Sequence, residues 1–431
     1  MSALRSLSAL GVLLVALPLR APAAEVLTLD RALAIAEEHN RGVLRAAEYQ
    51  NWIQGRYVEE RAQALPQITL SAGVRRDYDE TFYLFSGGAF PKSQDTTAWD
   101  VSLSQSVYSW GKVPAAIRGA KLAVDAGREQ LRAARQSARR AVTTAFYDVV
   151  LAEEILTIAV ENLEQRRRHL DEARKKLELG TATDYDVLAA EVTAENARPA
   201  VIRAENDIRS AKKRLLYLIG REESEIEVEG SLDAPESPLP DYDAAVREAL
   251  ARRPEIRSQG ILVLGDEALL LNARAQQRPH LDLDGYYTKK ALSADNLEIR
   301  PTTWSAALTL GYPVFDGLRT RGKVMQAQST LASDRLEESR LRDAVTLEVR
   351  LALDAARECA SILTALDGTV EQAERLVAMA EKGFEFGVKT RLDVDDAQLN
   401  LIQARANRAR ARRDYLVALT DLRWVQGVLG E

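Results

Sequence analysis

Cysteine, histidine and methionine are all scarce in this chain of 431 residues, which has one cysteine, three histidines and three methionines. Cys359 has no second cysteine with which to form an intrachain disulfide, and it lies too far along the chain to carry an N-terminal lipid. A buried, unreactive thiol is the better interpretation. The histidines, His39, His169 and His280, are scattered without ligand spacing and form no zinc pattern with Cys359.

Signatures of enzymatic chemistry are also missing. No G-x-S-x-G, P-loop or dinucleotide-binding fingerprint occurs. The acidic run Asp282-Leu283-Asp284-Gly285 lacks the downstream glutamate of a calcium loop, and strand alternation explains its aspartates better. We therefore expect neither an enzyme nor a cofactor nor a metal site.

Long apolar stretches are lacking beyond the N-terminus. There, Arg5, the apolar stretch 10–19 and the small residues 21–23 form the pattern of a secretory signal peptide, residues 1–23. The stretch is too short for a spanning helix, although a retained N-terminal anchor is the alternative. Cleavage removes Arg5 and Arg20, so the formal charge of −6 becomes −8. Nucleic acid requires a basic face, and we expect no such partner.

Proline is absent between Pro114 and Pro199 and again after Pro313. A single helix over 115–178 would be about 95 Å long at 1.5 Å per residue. A second helical stretch is predicted after Gly180. Its apolar residues recur at spacings that alternate between three and four, which is typical of coiled-coil packing. Because proline removes a helical hydrogen bond, we expect Pro199 to kink or break this second stretch.

The chain is a duplication. Residues 28–66 match 241–279 at a constant offset of 213, and beyond the first loop the offset becomes 207 for more than a hundred residues. Under the second offset Gly180 matches Gly387, and a loop six residues shorter in the second copy accounts for the change. Each half is therefore one structural unit, and neither half need bury its surfaces alone.

Each half repeats one order of elements. An opening helix, about 30–63 and 242–277, is expected to have Asp30 or Asp243 as its N-cap. Alternating polarity then predicts two strands, and a glycine turn divides a long helical hairpin. The predicted boundaries are 1–23 for the signal peptide; 24–220 for the first repeat, with strands 67–78 and 97–110 and a tip near 180; 221–241 for the linker; and 242–431 for the second repeat, with strands 280–290 and 302–315 and a tip near 387.

The predicted strands, joined by loops 79–96 and 292–301, are long enough to cross a bilayer when tilted. Aromatic residues gather at their ends, as in the interfacial girdles of a membrane barrel, although a soluble β-sandwich would show similar alternation. These aromatic residues are Tyr78, Phe82, Tyr83, Trp110, Tyr286, Tyr287, Tyr312 and Phe315. Four strands cannot close a barrel and open edges are not tolerated in lipid, so other copies must complete the sheet. A dimer would supply eight strands and a trimer twelve, and counting does not choose between them.

The signal peptide, the duplicated order of elements and the turns at Gly180 and Gly387 together resemble the TolC-like outer-membrane efflux proteins over essentially the whole mature chain. The resemblance implies a mainly α fold with a membrane β-barrel portion, in which a homotrimer forms a 12-strand β-barrel continuous with a 12-helix α-barrel in the periplasm. It also implies an exit duct of a tripartite efflux or secretion system. The implied partners are a periplasmic adaptor (membrane fusion) protein, an inner-membrane transporter and outer-membrane lipid. A periplasmic or surface coiled-coil scaffold without a pore is the alternative.

The resemblance also implies roles at the hairpin tips. Asp393 and Asp396 fall where the family has its ring of constricting aspartates, which would bind cations and raise one another's pKa. Lys389 replaces a family arginine and Phe384 a family tyrosine, so we expect a different latch, because lysine lacks the guanidinium fork and phenylalanine cannot donate a hydrogen bond. The implied gate residues are Asp393, Asp396, Lys389, Phe384, Tyr185 and Asp186. The implied adaptor-contact residues are Leu179, Gly180, Thr181, Phe386, Gly387 and Val388.

Helix capping is the competing explanation for the aspartates at the second tip. Aspartate in the first turn of a helix is favoured by capping and by the helix dipole, which explains Asp393 equally well and Asp395 better than a pore role does. The cargo is left open among drugs, metals, oligosaccharides and proteins. The shortage of methionine and histidine argues only against a dedicated copper or silver exporter.

Overall fold

The computed structural model describes residues 25–89, 91–221, 225–233, 238–294 and 297–430. The predicted signal peptide lies outside these residues. In chain order the elements are β1 (Glu25–Leu27), α1 (Leu29–His39), α2 (Arg41–Ala62), β2 (Gln67–Tyr78), α3 (Glu80–Phe85), β3 (Ser93–Tyr108), α4 (Lys112–Glu178), α5 (Asp184–Leu218), β4 (Ile226–Val228), α6 (Tyr242–Arg252), α7 (Pro254–Ala275), β5 (His280–Ala294), β6 (Leu297–Ile299), β7 (Thr302–Gly311), α8 (Arg319–Glu385) and α9 (Arg391–Val425).

The opening helix of each repeat is two helices, so the predictions of one continuous helix over 30–63 and over 242–277 were wrong. Asn40 ends α1 with an extended backbone, and its side-chain oxygen accepts hydrogen bonds from the first amides of α2 at 2.9 and 3.2 Å. In the second repeat, Arg253 is extended because a residue before proline disfavours the helical conformation, and Pro254 opens α7.

The N-caps of the opening helices also differ from the predicted Asp30 and Asp243. Thr28 caps α1 and Asp241 caps α6, each accepting backbone hydrogen bonds through its side-chain oxygen. The predicted residues lie within the first helical turn instead, where a carboxylate is favoured by the helix dipole.

Pro199 does not break its helix, because α5 runs continuously from Asp184 to Leu218. The expectation of a break was therefore wrong. Glu195, whose carbonyl loses its donor, and Pro199 itself are both exposed, so water can satisfy that carbonyl.

Four long strands form an antiparallel sheet in the order β2-β3-β5-β7, and β6 pairs with the far end of β5. The two hairpins have the same register: Ser71 pairs with Asp100 in the first, and the matching Asp284 pairs with Ala307 in the second. Some strand ends differ from the prediction, since β3 begins at Ser93 rather than at 97, β5 continues to Ala294 rather than stopping at 290, and β7 ends at Gly311 rather than at 315.

The sheet has one apolar and one polar face. Cross-strand partners share a face, and successive residues alternate between faces. The apolar face is solvent-exposed in the single chain and includes Ile68, Leu70, Val74, Trp99, Val101, Trp304, Leu308 and Leu310. The polar face includes Thr69, Ser71, Asp100, Ser102, Ser104, Asp284, Thr288 and Thr309. On that face the Thr288 hydroxyl donates to Asp100 at 2.6 Å across two strands.

Two helical hairpins, α4–α5 and α8–α9, extend from the sheet, and each is packed near the end of its second helix against the opening helix of its repeat. The first core cluster joins α1 to α4 and α5, and the second joins α6 to α8 and α9. The clusters use matching positions of the two repeats: Ala32, Ala36, Val142, Phe146 and Leu215 in the first, and Ala245, Ala249, Val349, Leu353 and Leu422 in the second. Linker residues also pack here, because β4 pairs in parallel with β1.

Candidate functional site

Both hairpins reverse through the same glycine-centred turn. In the first, the amide of Gly180 donates to Leu177 O at 2.9 Å and that of Thr181 to Lys176 O at 2.8 Å. In the second, Gly387 donates to Phe384 O at 3.0 Å and Val388 to Gly383 O at 2.8 Å. The glycines have φ values of +71° and +72°. These are Schellman caps, in which glycine adopts the left-handed conformation at little steric cost.

A threonine–aspartate capping box starts the second helix of each hairpin. The Asp393 carboxylate accepts from the amide and the hydroxyl of Thr390 at 2.8 and 2.7 Å, and Asp186 accepts from Thr183 at the same two distances. Hydrogen bonds from the threonine backbone, followed by those from its hydroxyl, lower the pKa of both aspartates. Both carboxylates are therefore ionised at neutral pH, and both stabilise the tip locally.

The second tip has an additional lysine contact. Lys389 Nζ donates to Asp393 Oδ1 at 3.3 Å, and its aliphatic stem passes over Gly383, where an added Cβ would lie 2.6 Å from Lys389 Cγ. The matching residue in the first repeat is Ala182, so the first tip has no equivalent cation. Phe384, which was expected in a latch, lies with its ring centroid 5.8 Å from Nζ of Lys176 on α4. The ring thus contacts the neighbouring hairpin.

The six predicted gate residues do not form one contact network within the chain. Lys389 contacts Asp393, but no hydrogen bond or ion pair joins it to Tyr185 or Asp186 in the part of the chain that the structure describes. Asp396 is exposed and has no polar partner among those residues. A role of Asp393 and Asp396 in a pore stays a prediction.

Apolar side chains are exposed at both tips. Leu179 is 78% exposed, and Phe386 and Val388 are each 80% exposed. Tyr185 and Leu392, in the first turn of the following helices, are exposed as well. Large apolar side chains gathered at the end of a structure mark a surface suited to a protein partner.

A row of ion pairs joins the two hairpins along α4 and α9, and we call this row the inter-hairpin seam. Its pairs are Arg140–Asp421, Asp148–Arg413, Glu161–Arg405 and Arg166–Asp395. The pair nearest the tips is the most buried, since Arg166 is 8% exposed. The seam places Asp395, which the sequence assigned only to the helix dipole, against the other hairpin.

Beside this pair lies a buried polar cluster that sequence reasoning missed. Gln398 is 2% exposed, and its amide nitrogen lies 3.0 Å from His169 Nε2 and 3.3 Å from Glu381 Oε1. Burial, and secondarily Arg391, lowers the pKa of His169, so the imidazole is neutral at neutral pH. The available signal was a glutamine directly after Ala397, which is an apolar position of the α9 periodicity.

Neither a metal centre nor a helical membrane span is found in the described part of the chain. The residues placed there contain no group of three or more histidine, cysteine, aspartate or glutamate side chains suited to a metal ion. None of the described helices combines the length and apolar character needed to cross a membrane.

Comparison with known proteins assigns the family. The model of the outer membrane efflux protein family matches residues 32–221 and 245–428, and the chain belongs to this family. The chain is 24% identical over 406 residues to outer membrane protein TolC of Vibrio cholerae, a match that covers 92% of this chain and 90% of that protein. It is 25% identical to the alkaline protease secretion protein AprF of Pseudomonas aeruginosa, covering 86% and 78% of the two chains.

Solved structures give the same fold. The CmeC outer membrane channel of Campylobacter jejuni superposes with a TM-score of 0.79 at 18% identity, covering 93% of this chain and 85% of that chain. The fold is that of TolC-like channels, in which an α-barrel continues a β-barrel. The protein therefore lies in the outer membrane with its helical barrel in the periplasm, and its family consists of channels rather than enzymes.

Proposed function

We propose that this protein is the exit duct of a tripartite efflux or secretion system. The observation that carries the proposal is the four-stranded sheet, which has an exposed apolar face, a polar face and two edges that no other strand of the described residues covers. Such a sheet is stable in a membrane only when its edges are closed by further strands, and its polar face then lines an aqueous lumen. Each 67-residue helix continues this wall for about 100 Å.

The closed assembly is a homotrimer. Three copies give twelve strands and twelve hairpin helices, and the exposed outer faces of α5 and α8 meet between copies. Energy and cargo selection come from partners, namely an adaptor protein in the periplasm and a transporter in the inner membrane. A relative is named for the secretion of alkaline protease, so protein cargo is within the range of the family.

The gate lies at the hairpin tips, where Asp396 and Asp393 of three copies form a ring of carboxylates. Asp396 is the stronger contributor to cation selectivity, because its carboxylate is unpaired in the described chain, whereas Asp393 is held by Thr390 and Lys389. The adaptor binds the exposed apolar residues beside the gate, Leu179, Phe386 and Val388.

Single-channel conductance of the purified mature protein in a planar lipid bilayer tests the duct and the gate together. We expect a small, cation-selective conductance that Asp396→Asn makes markedly less selective and Asp393→Asn changes less. Asparagine is chosen because it removes the charge and keeps the capping acceptor. Asp367→Asn, which removes an exposed charge on α8 far from the tip, is the matched control.

Two outcomes of the conductance experiment would contradict parts of this proposal. If the protein folds without detergent and shows no conductance, it is a coiled-coil scaffold and not a duct. If the protein conducts and all three variants have the same ion selectivity, it is a duct whose constriction is not formed by Asp393 and Asp396.

A further inference from the structure

The apolar face of the sheet contains one cation that its surroundings do not explain. The register places Ala72, Trp99, Lys289 and Thr302 in one row across the four strands, next to the row of Leu70, Val101, Tyr287 and Trp304. Because cross-strand partners share a face, Lys289 projects from the same face as these leucine, valine and tryptophan side chains.

The depth of Lys289 in the membrane follows from the strand direction. The helices join the strands at Gln67, Tyr108, His280 and Gly311, so this edge of the sheet is the periplasmic one. From His280 to Lys289 the chain rises about 30 Å at about 3.3 Å per residue. At a tilt of about 40° this is about 23 Å along the membrane normal, and the apolar band of such barrels is about 25 Å tall. Lys289 therefore lies at the outer border of the band.

Aromatic side chains mark the same border. Trp99 is beside Lys289 in its row, and Tyr287 and Trp304 lie one row below; all three are exposed. Tryptophan and tyrosine at this level form the interfacial girdle, where the head groups of the outer leaflet begin.

A groove of about 390 Å³ opens at this place, lined by Thr97, Trp99, Lys289, Lys290, Ala291 and Arg300. Lys290 N donates to Pro301 O at 3.0 Å, which continues the β5–β7 register outward, so Arg300 faces Ala291 and shares the face of Lys289. The groove lies over β3 and β5, with Arg300 added from the segment between β6 and β7, so all of its lining residues come from one chain.

The charges in the groove leave an unbalanced cation. Arg300 is neutralised by Glu298, at 2.8 Å, and one row further out Arg76 is neutralised by Asp95, at 2.6 Å. Lys289 has no carboxylate within ion-pair distance among the described residues. A lysine on a lipid-facing surface is tolerated at low cost near the interface, where its ammonium group can reach an anionic head group.

We propose that this groove binds a phosphate group of an outer-leaflet lipid. Lys289 supplies the ion pair, Arg300 exchanges part of its contact with Glu298 for the phosphate, and Trp99 covers the sugar or glycerol part of the head group. The acyl chains then lie along the row of Leu70 and Val101. A soluble anion would gain only the charge contact, whereas a lipid gains the apolar contact as well.

Lipid binding to the full mature protein in detergent provides the test, with native mass spectrometry counting bound molecules during a titration. The probes are bis-phosphorylated lipid A and the same lipid after dephosphorylation, and inorganic phosphate is the competitor. We expect Lys289→Gln to weaken binding of the phosphorylated lipid about fivefold, the effect of one lysine near an anionic surface. Arg75→Gln is the control, because it removes one exposed positive charge from the polar face near the same end of the sheet, outside the groove.

The outcomes separate the possible occupants. The site is supported by weaker lipid binding to Lys289→Gln, by unchanged binding to Arg75→Gln, and by loss of the preference for phosphorylated lipid in Lys289→Gln. Equal weakening by both variants would reduce the effect to general surface charge and overturn the proposal. Complete displacement by inorganic phosphate would make the groove a site for free anions and exclude the lipid. If Lys289→Gln failed to fold, two measurements would still test the site. The site requires that Arg300→Gln weaken lipid binding and that the wild-type protein prefer the phosphorylated lipid to the dephosphorylated one.

Discussion

Arg166 and Asp395 form the ion pair between the two hairpins that lies nearest to their tips. Arg166 is almost fully buried, and Asp395 also lies 3.7 Å from Arg391 on its own helix. Removing one partner of a buried ion pair leaves a charge without compensation, which for a fully buried pair destabilises a fold by about 3 to 5 kcal/mol. The hairpins are therefore held together most strongly close to the proposed gate.

Asp395→Asn should loosen the tips. We expect faster hydrogen–deuterium exchange in the last turns of α4 and the first turns of α9, and a higher mean conductance in planar bilayers. Asp396→Asn is the matched control, since Asp396 is exposed and lacks a polar partner in the described chain; it should change selectivity and leave the exchange rates unaltered. Equal exchange rates in the two variants would show that the Arg166–Asp395 pair does not hold the tips.

The capping hydrogen bonds within each tip could be predicted from the sequence, and the side-chain contacts between the two hairpins could not. Capping explains Asp393 from residues three positions away, and a glycine turn is visible in any helical hairpin. Asp395 instead meets a residue 229 positions away in the chain, on a helix whose rotation is fixed only by packing. The same is true of His169 and Gln398, which are also 229 positions apart.

The break in each opening helix is explained by its contact with the end of a hairpin. Asn40, which ends α1, donates to Leu218 O at 2.7 Å, and the next turn contains Gly220. A Cβ on Gly220 would lie 2.4 Å from His39 O, and one on Gly427 would lie 2.9 Å from the Arg252 carbonyl carbon. Two backbones meet at each of these places, which a reading of helical periodicity alone cannot show.

Four glycines of similar conformation should differ in their tolerance of alanine. Gly180 and Gly387 have φ of +71° and +72°, and Gly220 and Gly427 have +75° and +73°. At Gly180 and Gly387 nothing lies within 4 Å of an added Cβ. Alanine there should lower the free energy of unfolding only by the backbone strain, roughly 1 to 2 kcal/mol. Alanine at Gly220 or Gly427 should cost about 1 to 3 kcal/mol more, through steric overlap. Thermal unfolding followed by circular dichroism measures the difference, and equal midpoints would contradict it.

Packing of α7 against α8 should make stability depend on pH. Burial, and a hydrogen bond that the protonated Asp266 carboxyl donates to Asp334, raise the pKa of Asp266 from 3.8 to about 6. A carboxyl whose pKa is raised on folding stabilises the fold below its unfolded pKa, and this contribution is lost as the pH rises through about 6. We expect the unfolding temperature of the wild type to fall between about pH 4 and pH 7 relative to Asp266→Asn.

The neighbouring residue supplies the control for that experiment. Glu267 forms an exposed ion pair with Arg335 at 2.7 Å, so Glu267→Gln removes a carboxylate at the same level of the helix without touching the Asp266–Asp334 pair. Its stability should follow the wild-type curve through this pH range. If Asp266→Asn also followed that curve, the carboxyl pair would not be the source of the pH dependence.

At the scale of the whole molecule, the duplication predicts how the sheet closes. Within the chain, β3 of the first repeat pairs with β5 of the second, and Val101 is the partner of Tyr287. Applying the offsets of 207 and 213 to this pair gives Leu308 and Val74, on the free edges β7 and β2. Both side chains belong to the exposed apolar face, as the closed barrel requires. The same register would give the residues after Gly311 a partner strand that they lack in a single chain, which explains why β7 ends before the predicted position 315.

A disulfide between copies should therefore form in the variant Leu308→Cys/Val74→Cys, built on Cys359→Ala to remove the native thiol. Strand partners on one face bring their Cβ atoms about 4.5 to 5.5 Å apart, which is close enough for the bond. Because every copy contributes one Leu308 edge and one Val74 edge, oxidation should convert the protein to a covalent ring that migrates as a trimer under denaturing, non-reducing conditions. Thr309→Cys/Val74→Cys places the thiols on opposite faces and should remain monomeric. A ladder that stops at dimer, or cross-linking of the control alone, would show that the two junctions of the barrel differ in register and that the duplication does not extend to the closure between copies.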